Sequence, residues 1–326
     1  MADDAVRLSV VIPLFNEEES VPELLRRLDD TMARVEGPVE LVLVDDGSRD
    51  RTVELVRAFE PRAMSIVLVE LARNAGQHNA ILAGFSQCRG KYVVTLDADL
   101  QNPPEEIPRV LEQLEAGYAV VGTVRRDRDD PLPRRLASKV VNKLVSRSTG
   151  HDLHDYGCML RGYTLETVQA MLACPERHTF IPALAMAVAG SSTEIEVGHA
   201  PRTRGESKYD LGKLLRLNFD LMMGFTSIPL ELVSGVGLVI AVLGLVFSVF
   251  LIVRRLAHGP EVEGVFTLFA ILFFFIGVQI LALGLVGEYI ARMYDEVRGR
   301  PRYLIHRVYR NGGFEAPPAV QPEEEA

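Results

Sequence analysis

Residues 8–20 read LSVVIPLFNEEES: an apolar, β-branched run that stops at a proline and opens into an aromatic residue, an asparagine and carboxylates. The same grammar returns at 39–50, VELVLVDDGSRD, and at 92–105, YVVTLDADLQNPPE. Each is a short buried strand with acidic side chains where it ends. Between them lie amphipathic segments. Ser20-Val-Pro-Glu23 has the spacing of a capping box with proline just inside a helix that continues to about Arg34. Asp50–Phe59, Gln77–Cys88 and Glu105–Gly117 read as further helices, and Ile66–Leu71 and Ala119–Gly122 as further strands. Strand and helix alternating at this interval predict an α/β fold with a mainly parallel sheet and helices on both faces. In such sheets ligands bind beyond the carboxyl ends of the strands, where these acidic loops fall.

Composition narrows the field further. The chain has 326 residues, with 35 Lys+Arg against 44 Asp+Glu, and a net charge of −9. That balance argues against a protein that coats nucleic acid, whose phosphates would repel it. At 48% apolar residues it is no disordered chain. Cys88, Cys158 and Cys174 have neither metal-ligand nor CxxC spacing, which suits a reducing compartment. No GxGxxG follows the first strand and no GxxxxGK[ST] occurs, so the dinucleotide and Walker phosphate loops are missing. No solenoid period is visible.

A mean hydropathy of +0.13 reflects two concentrated runs. Pro229–Val253 has one charge, Glu231, and Val265–Gly287 has none. Each exceeds the roughly 20 apolar residues that span a bilayer core. Only Arg254–Gly264 separates them, so a transmembrane helical hairpin is expected. Arg202, Arg204, Lys208, Lys213 and Arg216 precede it, and Arg292, Arg298, Arg300, Arg302, Arg307 and Arg310 follow. The positive-inside rule puts both flanks, and hence both termini, in the cytoplasm of a multi-pass protein. The opening MADDAVRL lacks the basic region of a signal peptide. Asp210–Phe225 mixes leucines with Lys213, Arg216 and Asp220, and reads either as an interfacial helix or as a helix packed on its own domain. The expected organisation is an α/β catalytic domain over 1–209, the amphipathic helix over 210–226, the hairpin over 227–290 (spans 229–253 and 265–287) and a cytoplasmic tail over 291–326, disordered after Arg310.

The acidic loops point to a cation. Asp97 and Asp99, two apart beyond a strand, can face the same way. Paired carboxylates repel unless a positive charge lies between them. Mg²⁺ or Mn²⁺ satisfies that need with one or two carboxylates plus water and phosphate oxygens, and Gln101 can add another oxygen. The bland alternative is that Asp99 or Asn102 caps the helix entered through Pro103-Pro104-Glu105. Asp45-Asp46-Gly-Ser reads equally as a turn and a cap. All three loops on one edge are more specific than any one of them.

IPLFNEEES, LVLVDDGSRD and TLDADLQNPPE together resemble the signatures of family 2 glycosyltransferases of GT-A fold. With the C-terminal hairpin and Arg202-x-x-Gly205-x-Ser207-Lys208, the chain is similar to the polyprenyl-phosphate glycosyltransferases. RNAGQHNAILAGFS, GYAVVGTVR, DYGCMLR, GESKY and LVGEYI followed by RPRY are similar to the subgroup that handles 4-deoxy-4-formamido-L-arabinose. The resemblance covers about residues 7–310. It implies a GT-A (Rossmann-like) domain whose Pro13, Phe15 and Glu17 line uracil and ribose, with Asp45 or Asp46 accepting from the base. It implies a DxDxQ metal site of Asp97, Asp99 and Gln101, and contacts from Arg125, Arg202 and Lys208 to the donor and acceptor phosphates. It assigns Asp155 a positioning or proton-handling role near the reaction centre. His78 and His154 carry no such assignment and read as structural. The implied reaction is inverting transfer from a UDP-linked sugar to undecaprenyl phosphate at the bacterial inner membrane, feeding lipid A modification and cationic-peptide resistance. A glucosyl, mannosyl or N-acetylglucosaminyl donor is the alternative within the family, and a non-catalytic membrane scaffold the alternative outside it. Relatives form tetramers, so a homo-oligomer is implied, in which the segment at Tyr303-Leu304-Ile305 can pair as an exchanged strand.

Overall fold

The computed structural model describes residues 5–125, 158–174, 180–198, 228–258, 265–298, 300–310 and 313–315. The chain divides into two units, Met1–Lys213 with Pro301–Ala326, and Leu214–Arg300.

In the first unit the predicted alternation is present: β1 (Leu8–Leu14), α1 (Val21–Met32), β2 (Val39–Asp45), α2 (Thr52–Arg57), β3 (Ser65–Leu71), α3 (Gln77–Phe85) and β4 (Tyr92–Thr95). A 3-10 turn, Pro104–Glu106, leads into α4 (Ile107–Glu115) and then β5 (Val120–Arg125). Beyond these come β6 (Arg161–Thr164), α5 (Leu165–Ala173), α6 (Ile181–Val188) and β7 (Ser192–Val197). Two last strands, β8 (Ile305–Arg310) and β9 (Gly313–Glu315), complete one sheet in the order β7-β5-β6-β4-β1-β2-β3-β8-β9. β4, β1, β2 and β3 are mutually parallel, with Leu14 level with Asp45 and Val11 with Thr95. β6 and β8 run against their neighbours, so the sheet is mixed at its flanks.

Alternation along β1 sorts its side chains to two faces. Leu8, Val10, Ile12 and Leu14 join a core with Leu24, Leu25 and Leu28 of α1 and Ile107, Val110 and Leu114 of α4. On the opposite face α3 lies so close that a Cβ on Gly84 would meet Val11 Cγ1 at 2.5 Å and Val44 Cγ2 at 3.0 Å. Alanine in a helix interior gains up to about 1 kcal/mol over glycine. Overpacking a filled core costs about 1–3 kcal/mol. The clash should win, and Gly84→Ala is expected to lower stability by about 1–2 kcal/mol in urea unfolding. An unchanged or raised midpoint would show that α3 can lift off the sheet.

Two local expectations are corrected. The capping box does not form: the Ser20 hydroxyl turns back to donate to the Glu17 carboxylate and carbonyl, and Glu23 pairs with Arg26. Donating to the Glu17 loop turns the hydroxyl away from the helix amides from which a cap would accept. Nor is the region after the hairpin simply a tail. β8 pairs antiparallel with β3 from Val67–Arg310 to Leu71–Ile305, and Val308 is buried. This satisfies the edge that β3 would otherwise leave open.

The second unit contains α7 (Ile228–His258) and α8 (Val265–Val297), of 31 and 33 residues. Both extend past the predicted spans at their C-terminal ends. Leu238, Leu256, Leu281 and Leu283 are among its many exposed large apolar side chains. Among the described residues, no helix is long and apolar enough to cross a membrane. The expected helix over 210–226 lies outside the described residues.

Candidate active site

Because β1, β2, β3 and β4 are parallel and adjacent, their four following loops emerge along one edge. β5 runs parallel to β4, both antiparallel to β6 between them, and so brings Arg125 to that edge as well.

The loops after β1 and β2 are tied into one piece. Asn16, at φ +54°, donates its amide to Ser48 Oγ at 2.9 Å, and its side-chain oxygen accepts from the Arg49 amide at 2.9 Å. The Glu17 amide donates to Thr52 Oγ1 and the Glu18 amide to Asp50 Oδ2. Asp50 also accepts from the amide and hydroxyl of Thr52, the first residue of α2. Phe15, the residue after β1, is exposed. Pro13 lies within β1, and the Glu17 carboxylate accepts from Ser20.

The two aspartates of DDGS divide their work. Asp45 Oδ1 and Oδ2 accept from the Ser48 amide at 3.2 and 3.3 Å, closing the turn through Gly47 at φ +78°. Asp46 reaches the other way: Oδ1 accepts from the Ala75 amide at 2.6 Å and Oδ2 from the Gly76 amide at 2.9 Å. Asp46 therefore holds the loop after β3. Both are buried, and burial pushes both carboxyls above the usual value despite these amides. A carboxylate that accepts from a base must be ionised. If Asp45 is that acceptor, binding of a uridine nucleotide weakens with acid at a pH above the ordinary carboxylate value of 3.8. In Asp45→Asn this acid limb is expected to flatten, as read by UDP titration at successively lower pH starting from neutrality. An unmoved limb would take Asp45 out of the role.

After β4 the chain turns through Asp97-Ala98-Asp99, with Leu100 at φ +61°. Asp99 Oδ1 accepts from the Gln101 amide at 3.1 Å. Asp97 Oδ1 accepts from Gln77 Nε2 at 2.7 Å. Neither Asp99 nor Asn102 caps the following helix, whose flanking residue is Pro103. The Asn102 side chain instead accepts from Cys158 Sγ, which also contacts Thr123 Oγ1 at 2.9 Å. The Thr95 hydroxyl donates to the Met159 carbonyl, so the base of the acidic turn is bound to the approach to β6. Among the described residues, no three histidine, cysteine, aspartate or glutamate side chains gather as a closed metal cage. Asp97, Asp99 and Gln101 lie within five residues of one turn and carry hard oxygen donors, the kind a divalent cation takes.

His78 is half-buried against Phe180, edge to face at 5.1 Å, and its Nδ1 atom is buried with no hydrogen-bond partner among the described residues. Burial pushes its pKa down to about 4, so it is neutral at physiological pH. Asp155, Arg202, Lys208 and His154 lie outside the described residues, and the sequence reading of them is carried forward as a proposal. What that reading passed over was the bracing: Asn16, Thr52, Gln77 and Asn102 look like ordinary loop polars until the strands are set side by side.

An acidic edge over a parallel sheet, with no Gly-rich phosphate loop, fits a glycosyltransferase of GT-A fold. Residues 9–171 match the family described as glycosyl transferase family 2, and residues 228–293 match the GtrB C-terminal hairpin. The chain belongs to glycosyltransferase family 2 and is a glycosyltransferase. It is 54% identical over 317 residues to a Pseudomonas aeruginosa (strain PAO1) protein named undecaprenyl-phosphate 4-deoxy-4-formamido-L-arabinose transferase, covering 96% of this chain and 94% of that one. An Edwardsiella ictaluri protein of the same name is 52% identical over 321 residues, covering 98% and 96%. The fold is shared with glucosyl-3-phosphoglycerate synthase from Mycobacterium tuberculosis, solved with phosphoglyceric acid, at a TM-score of 0.50 and 20% identity, covering 68% of this chain and 80% of that one.

Proposed function

We propose that this protein transfers 4-deoxy-4-formamido-L-arabinose from its UDP-linked form to undecaprenyl phosphate, inverting the anomeric configuration. The observation that carries the sugar and the acceptor is identity above half, over nearly the whole length, with enzymes so named. The acidic strand-end loops supply a chemical reason. Asp45 accepts from the base, Pro13, Phe15 and Glu17 line it, and Asp46 keeps the neighbouring loop in place. Asp97, Asp99 and Gln101 would hold Mg²⁺ or Mn²⁺, and their donor set of hard oxygens suits either ion. When bound, that ion neutralises charge growing on the departing diphosphate. Arg125, Arg202 and Lys208 offset the repulsion between two anionic substrates that must meet. Arginine does so with paired hydrogen bonds and lysine with a point charge. The acceptor oxygen is already ionised at neutral pH, so little general-base help is needed. Asp155 then positions the substrate or takes up a stray proton.

The hairpin belongs to the same reading. The support for a membrane hairpin is the sequence: the runs Pro229–Val253 and Val265–Gly287 each exceed the roughly 20 apolar residues that a hydrocarbon core requires. Their exposed leucines suit lipid rather than water, and a site anchored at the cytoplasmic face turns the search for a lipid phosphate into a local one. The test is a donor screen. Purified protein with undecaprenyl phosphate in vesicles is offered labelled UDP-sugars, with Mg²⁺, Mn²⁺ or chelator. Label should enter the lipid phase from the formamido-pentose donor in preference to UDP-glucose. Preference for UDP-glucose would move the protein to another branch of the family.

A further inference from the structure

The carboxylates of two separate loops are gripped by one short piece of chain. Ala75 and Gly76 donate their amides to Asp46, and Gln77, the first residue of α3, donates its side-chain amide to Asp97. The piece is itself held. Asn79 Nδ2 donates to the Ala75 carbonyl at 2.8 Å, and the Ala80 amide donates to the Gly76 carbonyl at 3.0 Å. Gly76, at φ +88°, makes the turn into the helix, which Gly84 then seats on Val11 and Val44. Gln77 therefore projects from a scaffold with little freedom to shift, and it meets Asp97 at 2.7 Å.

We propose that Gln77 is a positioning residue, aligning the Asp97 carboxylate for the divalent ion and coupling the DDGS loop to the DxD turn. This rests on the reading of Asp97 as a metal ligand. The chemistry is that of an outer-shell partner: a neutral donor occupies one carboxylate oxygen and leaves the group charged, fixing its rotamer before the ion arrives. Losing such a partner typically weakens metal affinity by about 10–100-fold. Gln77 is exposed, so replacing it leaves the core intact.

The experiment follows Mn²⁺ uptake by electron paramagnetic resonance, using the full-length protein in detergent with saturating UDP and no acceptor. Gln77→Met keeps the length of the side chain and removes the donor. It is expected to raise the Mn²⁺ dissociation constant by about 10–100-fold, while thermal unfolding and metal-free UDP affinity stay at wild-type values. Gln77→Asn, too short to reach, should behave in the same way. Wild-type Mn²⁺ affinity in Gln77→Met would overturn the role of Gln77 and leave the metal site standing. A parallel loss of UDP affinity or of thermal stability would make Gln77 merely structural, and would also overturn it. Failure of the wild type itself to take up Mn²⁺ would remove the metal site and this proposal together, a result distinguished by an Asp99→Ala variant that then matches the wild type.

Discussion

Asp99→Ala is expected to reduce transfer from UDP-sugar to lipid phosphate by about a thousandfold without unfolding the protein. The two halves of that statement have different origins. In the fold, the Asp99 carboxylate accepts one hydrogen bond from the nearby Gln101 amide and is only partly buried. Losing such a bond costs about 1 kcal/mol. In the reaction, a metal's stabilisation of developing charge is worth several kcal/mol. If removing one ligand forfeits about 4 kcal/mol of it, the rate falls about a thousandfold at 1.36 kcal/mol per factor of ten. Chelation of the wild type should cause a similar loss, and chelating the variant should add little, because both remove the same interaction. Full activity in chelated Asp99→Ala would end the metal-dependent reading.

Arg310→Ala is expected to destabilise the catalytic unit by about 3 kcal/mol. Glu40 is the second residue of β2, with a side chain 1% exposed. It accepts from Ser9 Oγ and the Arg89 amide, both at 2.6 Å, and from Arg310 Nη1 at 3.1 Å. Breaking a buried pair from one side costs about 3–5 kcal/mol, because the remaining charge is stranded. The two neutral donors that stay behind, and the slight exposure of Arg310, place the expectation at the low end. Urea unfolding measures it. Pairing Arg310→Met with Glu40→Gln should recover most of the loss, since no unpaired charge then remains. An unchanged midpoint in Arg310→Ala would mean that β8 is held by its backbone bonds, by Val308, and by the Arg57 guanidinium over the Tyr309 ring rather than by this pair.

These two cases mark how legible the protein was. Asp97 and Asp99 stood out because their loop shares a sheet edge with two other acidic loops; alone, the pair reads as readily as a turn and helix cap. Asp45 and Asp46 stood out together, yet their division of labour did not. Adjacent side chains point to opposite sides of a strand end, and only the position of the Ala75–Gly76 amides decides that Asp46 serves a loop. Glu40 drew no notice as one polar residue inside VELVLVDD. Its meaning depends on an arginine 270 positions away. The capping box at Ser20 failed for a related reason: its spacing was right, but donation to a carboxylate three residues earlier orients the hydroxyl away from the helix.

Local pattern was enough for the alternation of strands and helices, the acidic edge, the two long C-terminal helices and, through their combination, the family. Those features arise from short-range rules: periodicity of burial, turn chemistry and the length of uninterrupted apolar chain. The tertiary structure alone decided that the segment after the hairpin returns as β8 to close the sheet, and that Gln77 meets Asp97. It also decided that Cys158, Thr123 and Asn102 join three separate segments. Each depends on which strands lie side by side, a choice made by packing across the whole sheet and carried by no single stretch of sequence.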